Sequence, residues 1–336
     1  MSGNPVAQVA VVVAAHRRYA TLELCLRGFR EIVADAADVI FVDNGSGGML
    51  TDWVTRRFPD ITVLTLDENR LFCGGYNAGI RWAMDRGFQH VLIANADTEI
   101  VNPAFITQLV EAMERHQRAA FVGPLVYYRR QGTVQTTCLR FPSLLRSLLV
   151  WLPFRIVPGV GVRQGTRERE ADFLNGVCVL CRTEALREIG LMDETFGAYV
   201  EDTDWGWRAR ELGWLSVFTG SPSIVHHEEL HGYEHYSFKS FLLKRNTVYW
   251  YLKTGRRGSA RGYAAIAVIL ARIRAMAAAT ADERRAHRDF ARHLRDAYRR
   301  LLAGKRVNHG DGSAPEGVAR RRPPSAADGR RVRDAP

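Results

Sequence analysis

Four short β-branched runs, Val9–Val13, Val39–Val42, Ile61–Leu66 and Val91–Ala94, punctuate the first hundred residues, and each is closed by polar or turn-forming residues. Between them apolar residues recur at helical spacing, as in Leu22, Leu26, Phe29 and Val33, and again from Tyr76 to Arg86 ahead of Gly87. Strands that are apolar at successive positions are buried on both faces, so this alternation demands a parallel sheet sandwiched between helices. Ligands of such sheets bind beyond the C-terminal strand ends, near the point where strand order reverses. The residues that follow each run are therefore the first place to look for chemistry.

Pro103–His116 reads as a further helix opened by Asn102. After Phe121-Val122-Gly123-Pro124 the pattern weakens, and Phe141–Val162 is apolar, Pro-broken and interleaved with arginines. That segment reads either as a lid or interfacial stretch or as an irregular, partly buried excursion. Order returns with strand-like Gly176–Leu180, helix Thr183–Ile189, the block Met192–Gly213 and strand-like Leu215–Phe218. Helical composition then runs from Phe238 to about Leu302, including the alanine-rich Tyr263–Ala279. Beyond Gly304 the chain is rich in Gly, Pro, Arg and Asp and is expected to be disordered.

With 336 residues, 46% of them hydrophobic, the chain can bury a large core, which excludes wholesale disorder and a disulfide-stapled mini-protein. Its five scattered cysteines read as reduced thiols of a cytoplasmic protein. Neither a signal peptide nor an apolar run of the roughly 18 residues needed to span a bilayer is visible. Of the net charge of +11, +7 lies in Ala281–Pro336. The globular body is thus nearly neutral and carries a basic extension suited to an anionic surface, which argues against a body built to bind nucleic acid.

Five segments could carry chemistry. Asp43, in Val42-Asp43-Asn44-Gly45-Ser46, stands at a strand end, where its carboxylate could accept the ring N–H of a nucleobase or simply cap a turn. Asn95 and Asp97 follow the fourth run and suit a divalent cation shared with a diphosphate, although both types are also common loop caps. The stretch from Asn69 to Gly79, with Gly74, Gly75 and Asn77, could let backbone N–H groups approach a phosphate or sugar at a helix start. It matches neither a P-loop nor a dinucleotide fingerprint. Asp193 to Arg208 packs acids among aromatics, with Asp202 near a helix N-terminus, where the dipole favours a carboxylate able to take a hydroxyl proton. His226 and His227, followed by His231 and His235, offer metal ligands, and His226 shares an inward strand face with Ile224. Cys178 and Cys181, by contrast, lack a second CxxC pair and read as core.

The order of these pieces is more specific than any one of them. The first strand with His16-Arg17, then VDNGS, ENRLFCGGYNAG, NADT, FLNGVCVLCR, GLMDETFGAYVEDTDWGWR and IVHH together resemble glycosyltransferase family 2. The resemblance is greatest to its rhamnosyltransferase-like branch, and it covers roughly Val6 to Arg257. It implies an α/β fold of GT-A type, an αβα nucleotide-diphospho-sugar transferase, here with a C-terminal helical extension. The boundaries it suggests are a catalytic domain over 1–235 (nucleotide-binding half 1–98, acceptor-binding half 99–235), a helical region over 236–304 and a basic tail over 305–336.

Carried over by position, the resemblance makes Asp202 the catalytic base and Asp43 the base-recognition acid. Asp97 becomes the metal-binding acid, with Asn95 at the first position of its motif, and His226 completes the metal or diphosphate site. Ala15, Arg17, Asn69, Gly75 and Asn77 join the donor-binding set, and Glu201, Trp205, Trp207 and Arg208 the acceptor-binding set. Two residues depart from the family pattern: His16 replaces an asparagine, and Leu71 stands where glycine is usual. The implied reaction is inverting transfer from a dTDP- or UDP-sugar, with rhamnose as a candidate sugar and Mg2+ or Mn2+ on the diphosphate. The acceptor is a saccharide or polyprenyl-linked saccharide, met in the cytoplasm or at the inner face of an anionic membrane. The competing readings are a nucleotidyltransferase and a non-catalytic nucleic-acid-binding protein using the tail. The first usually carries a Gly-rich basic signature after strand one, and Ala14-Ala15-His16-Arg17-Arg18 has no glycine.

Overall fold

A computed structural model describes residues 5–17, 21–129, 132–145, 167–227 and 236–305. Residues 146–162 of the apolar segment, His231, His235 and the basic tail from 306 onward lie outside these. The N-terminal half alternates β1 (Val9–Ala15), α1 (Leu22–Ile32), β2 (Val39–Asn44), α2 (Met49–Arg57), β3 (Thr62–Leu66), α3 (Leu71–Asp85) and β4 (His90–Asn95). There follow β5 (Thr98–Ile100), α4 (Phe105–Arg115), β6 (Ala119–Tyr128), β7 (Val134–Gln135), β8 (Cys138–Leu139), β9 (Arg169–Ala171), β10 (Phe173–Leu174) and β11 (Cys178–Arg182). The chain continues through α5 (Thr183–Ile189), α6 (Glu201–Glu211), β12 (Leu215–His226), α7 (Phe238–Lys253), α8 (Arg257–Ala277) and α9 (Ala281–Leu302).

The main sheet runs β3-β2-β1-β4-β11-β6-β12-β5. The first four strands are parallel, and β11 enters antiparallel between β4 and β6. Strand order therefore reverses between β1 and β4, which is where such a sheet opens a binding crevice. The pairing of Ala15 with Asp43 and of Ala14 with Asn95 brings two of the five singled-out segments to the same edge as the end of β1. Along β1 the side chains alternate as a pleated strand requires. Val9, Val11 and Val13 join one core with α1 and α4, and Ala10 and Val12 join the other with α3. That second core continues into α7, α8 and α9 through Trp250, Ala264 and Phe290.

Two expectations change. Helix α3 starts at Leu71, five residues before the periodicity suggested, so Gly74, Gly75 and Gly79 lie inside it. Glycine in a helix costs about 1 kcal/mol against alanine, and here close packing explains it. A Cβ on Gly75 would stand 2.8 Å from Asn44 Nδ2, and one on Gly79 would stand 2.4 Å from Val12 Cγ1. Gly75 and Gly79 let α3 lie close on β1 and β2. The second change is in β12, a single twelve-residue strand whose pairing with β6 is irregular between Phe218 and Ser223. Cys178 and Cys181 fall in opposite cores, and all five cysteines are free and buried. Among the described residues, no helix is long and apolar enough to cross a membrane.

Candidate active site

At the end of β2, Asp43 is wholly buried. One carboxylate oxygen accepts the Ser46 N–H (2.9 Å), and the other accepts the Thr51 N–H and hydroxyl (3.0 Å each). Burial alone would raise its pKa, but these donors hold it below the usual carboxylate value. Of the two roles the motif left open, the structure displays the turn cap. The neighbouring Asn44, not singled out by sequence, pins the start of α3. Its Nδ2 donates to the Leu71 carbonyl (2.7 Å) and its Oδ1 accepts the Arg70 N–H (2.9 Å). Leu71 itself sits at φ 55°, the left-handed region that the family's usual glycine enters without strain. For an L-residue that conformation costs about 1–2 kcal/mol. Asn44 holds the chain in that path.

A second group gathers at the ends of β4 and β12. His226 Nδ1 lies 2.8 Å from Gln135 Oε1, so this nitrogen carries the hydrogen and donates it. The other ring nitrogen, Nε2, then faces Asp97 Oδ1 at 3.1 Å and Asn95 Nδ2 at 3.5 Å. An imidazole lone pair opposite a carboxylate oxygen calls for a cation between them, either a proton or a metal ion. A backing hydrogen bond on the far nitrogen is the usual arrangement of a metal-ligating histidine. His227 points the other way, 2.6 Å from Glu99 Oε2 and 3.0 Å from Arg129 Nη1. Among the described residues no group of three or more His, Cys, Asp or Glu is placed to hold a metal ion by itself. Two protein ligands plus phosphate oxygens is, however, the common way of binding Mg2+.

The third group is built on α6. Asp202 is half-buried in the first turn, and its Oδ1 accepts the Thr203 N–H (2.7 Å). Burial pushes its pKa up to about 6, against the lowering pull of the N–H and hydroxyl of Thr203 and the N–H of Gly176. Glu201 beside it is buried, its Oε2 has no hydrogen-bond partner among the described residues, and burial and the Asp202 charge push it well above the carboxylate range. Burial thus disfavours charge on both carboxyls, and most strongly on Glu201, the more deeply buried of the two. Both line a small, partly open pocket, otherwise walled mainly by apolar and aromatic side chains such as Phe72, Phe121 and Trp205. The loop before β11 links this site to the previous one: the Gly176 N–H reaches Asp202, and the next residue's carbonyl, Val177 O, accepts the Asn95 N–H at 2.8 Å.

The segment leading into α6 is strained, with Tyr199 at φ 68° and Val200 at φ 73°. Such conformations persist only where surrounding contacts enforce them. Asn246 of α7, fully buried, donates to the carbonyls of Phe196, Ala198 and Tyr199 at 2.7–2.8 Å. Arg245 adds bonds to the carbonyls of Thr195 and Phe196. From the other side Asn77 bonds both backbone groups of Met192 and also Glu194, which Arg70 and Arg81 hold as well. Lys253 bonds Asp193, whose pKa burial would raise but which this ammonium and Thr195 bring to about 2.

Sequence reasoning missed Arg245 and Asn246. Their only signal is a polar run, Lys244-Arg245-Asn246-Thr247, between the apolar pairs Leu242-Leu243 and Val248-Tyr249 of the helix. Asn246→Ala is expected to cost about 2 kcal/mol or more, because three buried carbonyls lose a donor. Thermal melting should show a fall of several degrees, and an unchanged Tm would mean that the loop holds itself.

The structure thus brings together Asn95, Asp97 and His226, and separately Glu201 and Asp202. Ala15 lies on the same edge, and Arg17 and Asn69 are exposed beside it. Gly75 packs against Asn44, and Asn77 pins the loop at Met192 and Glu194. Of the acceptor set, Arg208 is committed to Asp204 and the carbonyls of Ile189 and Leu191. Trp207 meets Phe141 and Trp250 edge-on and lies under the Arg256 guanidinium, and Trp205 Nε1 donates to the Gly190 carbonyl while its ring lines the pocket. Trp207 and Arg208 therefore support α6 in this structure and do not face the cavity.

A sequence profile described as Glycosyl transferase family 2 matches residues 10–190, more than half of the chain. An N-acetylglucosaminyl-diphospho-decaprenol L-rhamnosyltransferase of Mycobacterium tuberculosis is 31% identical over 209 residues. The match covers 56% of this chain and 66% of the mycobacterial protein, just short of two thirds of the latter. A low-salt glycan biosynthesis hexosyltransferase of Haloferax volcanii is 25% identical over 179 residues, covering 53% of this chain and 55% of its own. Among solved structures, GalNAc-T7 with UDP, GalNAc and Mn2+ superposes with a TM-score of 0.52 at 14% identity, covering 72% of this chain and 47% of the other.

Proposed function

The chain belongs to glycosyltransferase family 2 and has the α/β GT-A-type fold, and from that premise we propose that it moves a sugar from a nucleotide-diphosphate donor to a hydroxyl of a lipid-linked saccharide, with inversion. The observation that carries this reading is the placement of two separate acidic sites, Asp97 with His226 and Asp202 with Glu201, on either side of the Asn175–Val177 loop. Ala15, Arg17, Asn69, Asn95 and Asp97 border the donor side, at the crevice where strand order reverses. Asp43 shapes that side by fixing the turn after β2.

In the proposed reaction Asp202 takes the proton of the acceptor hydroxyl as the oxygen attacks the anomeric carbon. The new C–O bond forms on one face while the bond to the diphosphate breaks on the other. Glu201, held protonated, keeps the local charge to a single carboxylate and so leaves Asp202 as the base. Asp97 and His226 would hold Mg2+ or Mn2+, with Gln135 fixing the imidazole and Asn95 beside it. When bound, the cation would offset, as a Lewis acid, the negative charge gathering on the departing diphosphate. One base therefore suffices here, unlike the two carboxylates of glycoside hydrolysis.

The mycobacterial relative's name supports rhamnose as the sugar and a polyprenyl-diphosphate-linked acceptor. A dTDP-sugar is the first donor to try and a UDP-sugar the second, with the enzyme working at the cytoplasmic face of the membrane. The test is a thermal-shift and nucleotide-release screen of sugar nucleotides, dTDP-rhamnose among them, with Mg2+ or Mn2+. One sugar nucleotide is expected to raise Tm and to release its nucleoside diphosphate when acceptor is added. Release of pyrophosphate from a nucleoside triphosphate, with no response to any sugar nucleotide, would make the protein a nucleotidyltransferase instead.

A further inference from the structure

Helix α8 packs against α7 and α9 with its apolar sizes inverted. The face turned inward carries Ala260, Ala264, Ala267, Ala271 and Ala275 with one aromatic, Tyr263. The large flexible residues face out: Ile269 is 53% exposed, Ile273 47% and Met276 75%. They stand at i, i+4 and i+7 and so form one stripe. A helix packed only on protein normally turns its largest apolar side chains inward, and a contiguous exposed apolar stripe marks a binding surface. The exposed Arg272 borders it on one side, Arg261 lies on that same side about two turns before the stripe begins, and the 21 residues of α8 contain no acid.

We propose that this outer face of α8 docks the protein on an anionic lipid bilayer. The purpose of docking rests on the lipid-linked acceptor proposed above, whereas the surface itself rests on α8 alone. A second copy of the chain is the weaker fit. A two-fold contact uses the same patch on both partners, so it would set an acid-free, arginine-bearing helix against itself. A bilayer instead accepts isoleucine and methionine below its headgroups while arginines at the rim meet lipid phosphates. Each arginine near an anionic leaflet raises binding about fivefold. Because α8 packs on α7, and α7 holds the loop ahead of Asp202 through Asn246, docking there would bring the base-bearing layer close to a lipid-borne hydroxyl.

The experiment is flotation of the full chain with vesicles of phosphatidylcholine alone or with phosphatidylglycerol, at low and high salt. The variant combines Ile269→Gln, Ile273→Gln and Met276→Gln, and its fold is checked by circular dichroism. Wild type is expected to float with the anionic vesicles, and the variant to bind them at least tenfold less. Transfer to a water-soluble acceptor should stay equal in the two proteins, while transfer to an acceptor embedded in vesicles falls in the variant. Equal flotation of both proteins would overturn the proposal, whether the binding then comes from the tail or from elsewhere. So would failure of wild type to float, or light scattering showing a dimer that the variant makes monomeric. Flotation requires no donor, so a protein that docks through α8 yet transfers no sugar would refute the proposed function and leave the docking surface standing.

Discussion

Asp202→Asn is expected to slow sugar transfer by about 10²–10⁴-fold, the usual loss when a general base is removed, while leaving donor binding nearly intact. Asparagine keeps an oxygen in place to accept the Thr203 N–H now 2.7 Å from Asp202 Oδ1, so the start of α6 should not change. What disappears is the ability to take a proton. In the wild type, transfer should fall as pH drops through about 6, because burial has raised the Asp202 carboxyl to that value and its protonated form is inert. The stability consequence has the opposite sign. A carboxyl raised on folding binds its proton more tightly in the native state, so the contribution of Asp202 to native stability is greatest below its unfolded value and is lost as pH climbs through about 6. The asparagine variant escapes that decline, and its Tm at pH 8 should match or exceed that of wild type. A variant retaining more than about a tenth of wild-type kcat would remove Asp202 from the role of base.

Asp97→Ala should abolish both metal dependence and tight binding of the nucleoside diphosphate. Asp97 Oδ1 is the oxygen that faces His226 Nε2 at 3.1 Å, and no third acid or thiolate among the described residues stands ready to replace it. With two protein ligands, loss of one leaves a single imidazole, which holds Mg2+ poorly because that ion prefers oxygen. Calorimetric titration of the nucleoside diphosphate with and without Mn2+ reads the effect directly. In wild type the metal should strengthen binding, and in the variant the two titrations should coincide. Full wild-type activity in excess EDTA would show that the pair works through a shared proton instead.

The alternation of β-branched runs and helical spacing sufficed to place the parallel core, because run length and period are local properties of the chain. The order of the motifs likewise placed Asp97, Asp202 and His226 at strand and helix ends. Strand alternation separated His226 from His227, and Cys178 from Cys181, since successive side chains of a strand must leave on opposite faces. The packing role of Gly75 was not legible, because a glycine-rich stretch after a strand looks the same whether or not its missing side chains make room for a neighbouring strand. Only the 2.8 Å approach of Asn44 to the Cβ position of Gly75 distinguishes the two.

What no local reading could supply is the partner of each polar side chain. Asn77 meets Met192 across 115 positions, Asn246 meets Phe196 across 50, and His226 meets Asp97 across 129. Periodicity shows which face of an element is apolar, but it carries no record of which distant element will cover that face. Asn246 accordingly reads in sequence as a polar interruption of a helix, and in the fold as the group that holds the strained turn before Asp202. The raised pKa of Asp202 has the same origin. Its type and its place at a helix start are written in the chain, but its burial beside Glu201 exists only after β10, β11 and α6 have closed around it, and burial is what moves a carboxyl to a value useful for a base.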